Sequence, residues 1–376
     1  MSEARAPVGT PPRGRTTATV RSRAPASDPC RPKGAATAGG GRGVCVWKKV
    51  RALLQQPTNE LRHEALFHAG HDGLVDSVVP FVREGVREGE AVLVGATPAK
   101  LAAIRAGLQE AEIEAVQWQR NDERYARPSP LLGETLRWCE AELARGQRVR
   151  LLSEPPLASA SHEDARELSL IDAAFNEVAG LAGVAAVCLY DLEAVPSRWI
   201  AQARRSHAEL VERDGRRPSE AYVGPRELLA DEHLGPLPWP SGAVQELICP
   251  APDEACSAAR ELGRGAGLPD HRLEAFVEAV GEVATNAWVH ALPDRGRFWW
   301  GEARLVCEVS DYGPIDADGS LDPLTGYTPP TAERPGGGLW RTRQLADLVQ
   351  IRSHAHRTVV RVHVDLPSVA RAATPR

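Results

Sequence analysis

The chain has 376 residues, of which 43% are hydrophobic and 25% are charged, a composition typical of a globular protein of about two domains. It contains no run of about eighteen apolar residues, which excludes a membrane-spanning helix, and its N-terminus lacks the apolar stretch of a secretory signal. Seven scattered cysteines form no CxxC pair, which argues against a disulfide framework and a zinc site and predicts a reducing, cytoplasmic location.

The first fifty residues differ in charge from the rest of the chain. Residues 1–50 hold ten Lys/Arg and two acidic residues, a balance of +8, which leaves −13 for residues 51–376. A basic arm can bind nucleic acid or a membrane surface, but this one is rich in Arg, Pro, Gly, Ala and Thr and has no apolar period. We expect residues 1–47 to be a disordered tail that binds neither nucleic acid nor a membrane. Because Met1 is the only methionine, we also expect that part of this tail is not made in the cell.

We expect order to begin near residue 48, and residues 61–230 then alternate between two patterns. Short apolar runs typical of buried strands include AVLVGAT, VRLLSEP and VAAVCLYD. Amphipathic helical segments lie between them, among them GLVDSVVPFVREGVREGE, PAKLAAIRAGLQEA, GETLRWCEAELARGQ and SLIDAAFNEVAG. Buried strands that alternate with helices predict an α/β domain with a mainly parallel sheet, which we place at residues 48–235.

The composition changes between residues 214 and 241, where five prolines occur. Proline disfavours helix interiors and central strands, so we expect neither here, and we place a Pro-rich linker at 236–242. From 243 to 367 the order is strand, helix, helix, strand (RFWWGEARLVCEVSDYG), a long Pro/Asp/Gly segment, helix and terminal hairpin. This order predicts an α+β domain with helices on one face of a mixed, mostly antiparallel sheet. Residues 368–376 are expected to be a second disordered tail.

The helical segment VEAVGEVATNAWVHA carries Glu278, Glu282, Asn286 and His290 at four-residue spacing, which places them on one face. Taken alone, such a stripe is usually the solvated side of an amphipathic helix. Asparagine, however, is a poor mid-helix residue, and its carboxamide oxygen suits Mg²⁺. A carboxylate one turn away could accept a proton from an attacking hydroxyl.

Three later segments carry further candidates. In LVCEVSDYG a half-buried strand ends at Asp311 and Gly313, where the carboxylate could accept a hydrogen bond from an exocyclic amine and the glycine could admit a planar base. In RPGGGLWRTRQLADL, the glycines from Gly336 to Gly338 open a helix, which favours phosphate binding by free N–H groups. Thr358 places a hydroxyl at the start of the final strand. Each feature alone has an ordinary structural explanation as a turn, flexible loop or strand residue.

The order of these features over 243–367 resembles the Bergerat-type (GHKL) ATPase fold of histidine kinases and gyrase B, and is most similar to its anti-sigma-factor serine kinase branch (HATPase_c_2). The segments EAVGEVATNA, CEVSDYGP, DPLTGY and GGGLWRTRQLADLVQIRS carry the resemblance. It implies ATP and Mg²⁺ as ligands. It also implies a role for each candidate: Glu282 as catalytic base, Asn286 as Mg²⁺ ligand, Asp311 as adenine reader with Gly313 beside it, Gly336 and Gly338 in the phosphate turn, and Thr358 near the adenine.

Residues 61–230 are similar to the MEDS sensory domain, a ligand-sensing α/β module often placed before this type of ATPase. The segments HEALFHAGHDGLVDSVVPFVREGVREGEAVLVGATPAKLAAIRAGL and LYDLEAVPSRWIAQARRSHAELVERDGRRPSEAYVGP carry this diffuse resemblance. The spacing of His63, His68 and His71 fits no common zinc template, so we interpret them as structural or surface residues.

The two resemblances together imply a cytoplasmic, sensor-linked anti-sigma factor that binds ATP–Mg²⁺ and phosphorylates a serine or threonine of an anti-anti-sigma partner. A sigma factor, an anti-anti-sigma protein and an unknown small-molecule signal are the expected partners, without nucleic acid or membrane and with a homodimer possible. A purely ATP-binding regulatory protein without phosphotransfer is the main alternative. A histidine autokinase with His207 as phosphoacceptor is disfavoured, because prolines occupy the place of its helical hairpin.

Overall fold

The computed structural model describes residues 61–70, 73–178, 182–212, 215–240, 243–300, 303–313, 321–331, 337–354 and 356–367. The expectations for the tails 1–47 and 368–376, and for the onset of order near residue 48, concern residues outside these ranges. In the described part of the chain no helix is both long and apolar enough to cross a bilayer. Two sheets, each with its own helices, form an N-terminal and a C-terminal domain.

The N-terminal domain is built on a seven-stranded sheet in the order β3-β2-β4-β5-β1-β6-β7. Neighbouring strands are parallel, except that β7 runs antiparallel to β6. The mainly parallel α/β domain predicted from the alternating patterns is thus confirmed. The strands are β1 (Arg62–His68), β2 (Ala91–Ala96), β3 (Val116–Arg120), β4 (Val149–Ser153), β5 (Val184–Asp191), β6 (Glu209–Glu212) and β7 (Gly215–Pro218).

Helices cover both faces of this sheet and bury a separate apolar core on each. The helices are α1 (Leu74–Arg87), α2 (Pro98–Ala106), α3 (Glu110–Glu114), α4 (Asn121–Arg124), α5 (Leu131–Ala144), α6 (His162–Val178), α7 (Ser197–Ser206) and α8 (Pro225–His233). Helices α1 and α2 pack on one face, and α5, α6, α7 and α8 pack on the other. Burial on both faces explains why the strands read as continuous apolar runs rather than as alternating ones.

Helix α8 corrects the prediction that the Pro-rich stretch holds no helix. Pro225 occupies the first turn of α8, where proline's missing N–H has no intrahelical partner to lose and its fixed φ suits the helix. Leu228 and Leu229 of this helix are fully buried in the core beneath α6. The prolines therefore limit where this helix starts rather than prevent it.

The C-terminal domain has a five-stranded antiparallel sheet in the order β11-β12-β10-β9-β8. Its strands are β8 (Gln245–Ile248), β9 (Leu292–Trp300), β10 (Arg304–Tyr312), β11 (Leu348–His354) and β12 (Arg357–Asp365), and its helices are α9 (Pro252–Gly265), α10 (Asp270–His290) and α11 (Gly338–Leu345). The apolar sides of α9 and α10 and the inner face of the sheet share one core, as the α+β prediction requires. The segment RFWWGEARLVCEVSDYG, predicted as one strand, instead folds back on itself as β9 and β10.

A buried ion pair joins the two domains. Arg343 of α11 contacts Glu167 of α6, both almost fully buried, and the guanidinium also stacks on the ring of Tyr327 at 3.8 Å. The Tyr327 hydroxyl donates to Glu167 at 3.2 Å. Leu324 and Tyr327, from the long segment before α11, are buried in the core of the N-terminal domain. The long Pro/Asp/Gly segment is therefore anchored, in its described part, to the other domain.

The C-terminus of α11 is also held by the N-terminal domain. Arg127 donates from Nη2 to the carbonyl oxygens of Leu345 and Ala346, at 2.9 and 3.2 Å, and its Nε lies 2.6 Å from a carboxylate oxygen of Asp347. Carbonyls in the last turn of a helix lack intrahelical partners, and a cation there also complements the helix dipole. Helix α11 is thus fixed to the N-terminal domain through Arg343 and through the carbonyls at its C-terminus.

Replacing Glu167 tests how much the interface ion pair contributes. Glu167→Ala leaves the buried guanidinium of Arg343 without its carboxylate, and we expect the free energy of unfolding to fall by about 3–5 kcal/mol. Glu177→Ala is the matched control on the same helix, because its pairing with Arg226 is exposed and worth under about 1 kcal/mol. Urea denaturation of both variants measures the difference, and equal effects would contradict the assignment.

Candidate functional site

Two buried polar atoms lie side by side on adjacent strands of the C-terminal sheet. Asp311 of β10 and Thr358 of β12 are register partners, and both residues are buried. Neither Asp311 Oδ1 nor Thr358 Oγ1 has a hydrogen-bond partner among the described residues. A buried polar atom without a partner costs roughly 1–3 kcal/mol, so a pair of them facing a cavity indicates groups that a ligand satisfies.

The environment of Asp311 also alters its acidity. Burial removes the carboxylate from water and raises the pKa of Asp311 to about 6. Near neutral pH the group is still mainly ionised and can accept a hydrogen bond. A ligand amine that donates to this oxygen would replace part of the lost hydration and return the pKa toward its ordinary value.

Helix α10 supplies the second part of the site. Phe276, Val280, Val283 and Ala287 are buried against the sheet, so the opposite face presents the predicted polar stripe. Glu282 and Asn286 meet the first residue of α11: a Cβ built on Gly338 would lie 2.9 Å from Glu282 Oε2 and 3.0 Å from Asn286 Nδ2. A side chain at 338 would therefore displace the ends of the Glu282 and Asn286 side chains. The sheet thereby places the N-terminus of α11 directly beside the carboxylate and the carboxamide.

The turn before α11 also depends on glycine. Gly337 has φ of 131°, a conformation that residues with a side chain rarely adopt, and a Cβ there would lie 3.0 Å from Pro330. This geometry supports the predicted Gly-rich turn into a helix N-terminus, where free N–H groups and the helix dipole favour an anion. Gly336, which was predicted to share this turn, lies outside the described residues.

A cavity of about 480 Å³ brings these parts together. Asp311, Thr358, Asn286 and Gly338 all line it, so four of the predicted residues share one site. Its remaining wall includes the turn at 321–330 and the side chains of Leu339 and Trp340. A mostly apolar cleft with a few converging polar groups is the usual form of a small-molecule site.

Two predicted residues lie outside the cavity wall. Glu282 is not part of the lining and reaches the site only through its contact with Gly338. Gly313 packs against Ala291, where a Cβ would come within 2.5 Å of the alanine side chain. The reason for glycine at 313 is therefore close packing behind the wall rather than access for a planar base.

Sequence reasoning missed two features of the site. His290, interpreted as part of the solvated face, lines the cavity. Arg341 of α11 forms ion pairs with Glu278 and, at 3.6 Å, with Glu282, so Glu278 is not simply solvated. These pairs are exposed and therefore weak, and a negatively charged ligand could compete for the arginine. The spacing of Arg341 three residues after Gly338 was the available signal, since it places a cation in the first turn of a Gly-opened helix.

The donor set also fits a magnesium ion. A carboxamide oxygen and a nearby carboxylate are hard oxygen ligands of the kind that Mg²⁺ takes in small number while keeping its waters and phosphate oxygens. Asn286 is the residue that could hold it, because its carboxamide reaches the N-terminus of α11, where Glu282 lies beside it.

Comparison with known proteins agrees with this geometry. Residues 62–208 match the family described as MEDS, the methanogen/methylotroph, DcmR sensory domain. Residues 251–364 match the family described as the histidine kinase-like ATPase domain. The two matches show an N-terminal MEDS domain and a C-terminal histidine kinase-like ATPase domain, and the latter family implies ATP binding.

Other comparisons add little. No curated protein matches the chain. A solved structure from a study of a prototypical ATPase from the type III secretion system of pathogenic bacteria aligns with 11% identity and a TM-score of 0.30, covering 44% of this chain. The chain spans about half, 54%, of the length of that structure. At this level of similarity the match says nothing about the fold or function of this chain.

The raised pKa of Asp311 predicts a pH dependence of base binding. If Asp311 accepts a hydrogen bond from an adenine amine, protonation of the folded carboxylate below pH about 6 should lower the affinity for adenosine about tenfold for each further pH unit. Without ligand, pH acts on the stability of the fold in the opposite direction. Because the pKa of Asp311 is higher in the folded than in the unfolded chain, this group stabilises the fold below pH about 4, and that contribution is lost as the pH rises through about 6. Calorimetric titration with adenosine, which has no phosphate to titrate, measures how the affinity changes with pH between pH 5 and 7. A slope that persists in Asp311→Asn would assign the titration to another group.

A second prediction concerns the contact between α10 and α11. Gly338→Ala inserts a methyl group that must displace the Glu282 carboxylate and the Asn286 carboxamide, so ATP affinity should fall at least about tenfold, the equivalent of a 1.4 kcal/mol loss. The control Gly265→Ala places a methyl group in open space at the end of α9 and should leave ATP affinity unchanged. Fluorescent nucleotide titration distinguishes the two, and equal affinities would refute the role of Gly338.

Proposed function

We propose that this chain is a sensor-linked regulator that binds ATP–Mg²⁺ and phosphorylates a serine or threonine of an anti-anti-sigma protein, while sequestering a sigma factor in the alternate state. The observation that carries the proposal is the pair of unsatisfied atoms on Asp311 and Thr358, in the same cavity as Asn286 and the N-terminus of α11. This arrangement offers one end that suits an adenine amine and another that suits phosphates.

At the adenine end, Asp311 Oδ1 accepts from the exocyclic amine, and Thr358 Oγ1 can donate or accept beside it. Both atoms are already desolvated, so binding satisfies them without further loss of hydration. The apolar neighbours Val283, Leu324 and Val360 line the same cavity and can pack against the base.

At the phosphate end, the N–H groups that open α11 and the Arg341 guanidinium bind the negatively charged oxygens. Asn286 would hold Mg²⁺, which would neutralise part of the phosphate charge when bound. Glu282 accepts the proton of the attacking serine or threonine hydroxyl as the new oxygen–phosphorus bond forms and the bond to ADP breaks. Phosphoryl transfer depends mostly on positioning and charge, which a rigid helix pair provides.

The contacts of α11 suggest how the MEDS domain would bias this site. The same helix that begins at Gly338 is paired through Arg343 with Glu167 and capped by Arg127. A shift of α6 on signal binding would therefore act on α11, and Leu324 and Tyr327 would carry it to the cavity wall. A small-molecule signal in the MEDS domain is the expected input.

A second candidate function is ATP binding without phosphotransfer. It is favoured by the position of Glu282, which lies outside the cavity lining and is paired with Arg341. In that case nucleotide would only stabilise the conformation that binds a partner. The autokinase alternative finds no support, because His207 is fully buried and sits between α7 and β6 rather than in a helical hairpin.

Phosphotransfer with γ-labelled ATP and a panel of candidate anti-anti-sigma proteins tests the proposal. General-base catalysis contributes roughly 10²–10⁴-fold, so Glu282→Gln should lower the transfer rate at least about 100-fold while ATP still binds. Asn286→Ala should weaken Mg²⁺-dependent ATP binding and transfer together. Glu274→Gln, an exposed residue on the same helix, is the control that should change neither.

Each outcome separates the alternatives. ATP retention by the wild type without label on any partner would favour the binding protein, and acid-labile label on the chain itself would favour an autokinase. A wild-type chain without ATP affinity would refute the assignment of the site.

A further inference from the structure

Four side chains with metal-binding chemistry converge inside the MEDS domain, far in sequence from one another. His63 lies on β1, Asp172 on α6, Cys188 on β5 and His207 directly after α7. One ligand atom from each lies within 4.8 Å of those of the others. His63 and Cys188 project from the same face of adjacent parallel strands, because alternate residues of a strand share a face.

The hydrogen bonds of His207 determine which ring nitrogen carries the proton and which carries the lone pair. Its Nδ1 lies 2.9 Å from the carbonyl oxygen of Ala203, which can only accept, and 3.1 Å from the Ser206 hydroxyl, which can accept while it donates to the same carbonyl, so Nδ1 carries the proton. Neutral imidazole carries one ring proton, so Nε2 of His207 presents a lone pair.

The same reasoning applies to His63. Asn176 Nδ2 donates to the carbonyl oxygens of Asp172 and Ser206, at 3.2 and 2.8 Å, which fixes the orientation of the carboxamide. Asn176 Oδ1 therefore faces His63 Nδ1, at 3.0 Å, and accepts its proton. Nε2 of His63 is then also a lone pair.

These two lone pairs face each other, since Nε2 of His63 and Nε2 of His207 are only 3.1 Å apart. Two acceptors at hydrogen-bond distance repel unless a cation lies between them. A metal cation is the group that suits two converging lone pairs.

The remaining two ligands complete a four-coordinate set. Cys188 Sγ lies 3.4 Å from His63 Nε2, and Asp172 is oriented by the Tyr190 hydroxyl, which donates to it at 2.7 Å. Metal–nitrogen distances of about 2.0–2.1 Å and metal–sulfur distances of about 2.3 Å place tetrahedral ligand atoms about 3.3–3.6 Å apart. The observed separations of 3.1 and 3.4 Å lie close to these values.

We propose that His63, Asp172, Cys188 and His207 form a binding site for a divalent transition-metal cation of the Zn²⁺ type within the MEDS domain. Two imidazoles, a thiolate and a carboxylate are the donors that such an ion selects, and Cys188 releases its proton to solvent on binding. Asn176 and the Ala203 carbonyl are positioning partners that hold the imidazoles in the metal-binding tautomer. One of the four ligands, Asp172, lies on α6, the helix that also carries Glu167 of the domain interface.

Metal titration of the full-length chain tests the proposal, with Zn²⁺ and Co²⁺ as probes after removal of bound metal by chelation and with excess Mg²⁺ present throughout. We expect one equivalent of Zn²⁺ per chain, and a Co²⁺ form with the thiolate-to-metal charge-transfer absorption of a tetrahedral site. Cys188→Ser should remove that absorption and weaken binding at least about 100-fold, more than loss of an outer partner does. Cys139→Ser, a buried thiol of α5 outside the cluster, should leave both unchanged.

Asn176→Ala tests the positioning role, because the Co²⁺ spectrum should persist while Zn²⁺ affinity falls about 10–100-fold. Asp172→Asn, which keeps an acceptor for Tyr190, provides a second ligand variant should Cys188→Ser not fold, as judged by circular dichroism. A wild-type chain that binds no Zn²⁺ stoichiometrically, or a Co²⁺ spectrum unaffected by both ligand variants, would overturn the site. ATP binding is measured separately, so failure here leaves the proposed function standing.

Discussion

The structure depends on the burial of one ion pair between its two domains. Arg343 and Glu167 are almost wholly removed from water, and each is tolerated there only because the other, with Tyr327, is present. This requirement fixes α11 against α6. Because α11 also begins at Gly338, the same constraint positions the N-terminus that faces the cavity. The MEDS domain and the ATPase domain are thereby joined at the helix whose N-terminus lines the cavity.

Elsewhere in the molecule, unsatisfied polar groups mark the places where a ligand is needed. Asp311 and Thr358 lie buried and unpartnered at the end of a sheet whose other polar atoms are largely paired. In the N-terminal domain, His63 and His207 each have one ring nitrogen satisfied, and their other ring nitrogens face each other at 3.1 Å. Burial makes both situations costly, because a low-dielectric interior penalises a polar atom without a partner more than water does. In both sites the fold positions buried polar groups, and a bound ligand would supply their missing partners.

Much of the architecture was accessible from local pattern. The continuous apolar strands predicted a sheet covered on both faces, and the four-residue spacing on α10 placed Glu282 and Asn286 on one face opposite a buried stripe. The predictions failed where the structure depends on more than the local residue pattern. Proline argued against a helix at 225–233, although it suits a first turn. A long strand was predicted where β9 and β10 pair with each other, because a turn of a few residues carries a weak signal.

Sequence alone determined the residue types and their order: a carboxylate and a carboxamide one turn apart, an aspartate at a strand end, a run of glycines before a helix, and a hydroxyl on the last strand. Periodicity suffices for these because neighbours on one helix or strand are fixed by backbone geometry. Only the tertiary structure decided which of them meet. The register of β10 and β12 sets Asp311 beside Thr358, and α11 sets Gly338 against Asn286. The cluster of His63, Asp172, Cys188 and His207 had no local spacing to reveal it, because four separate elements supply its ligands and long-range packing alone brings them together.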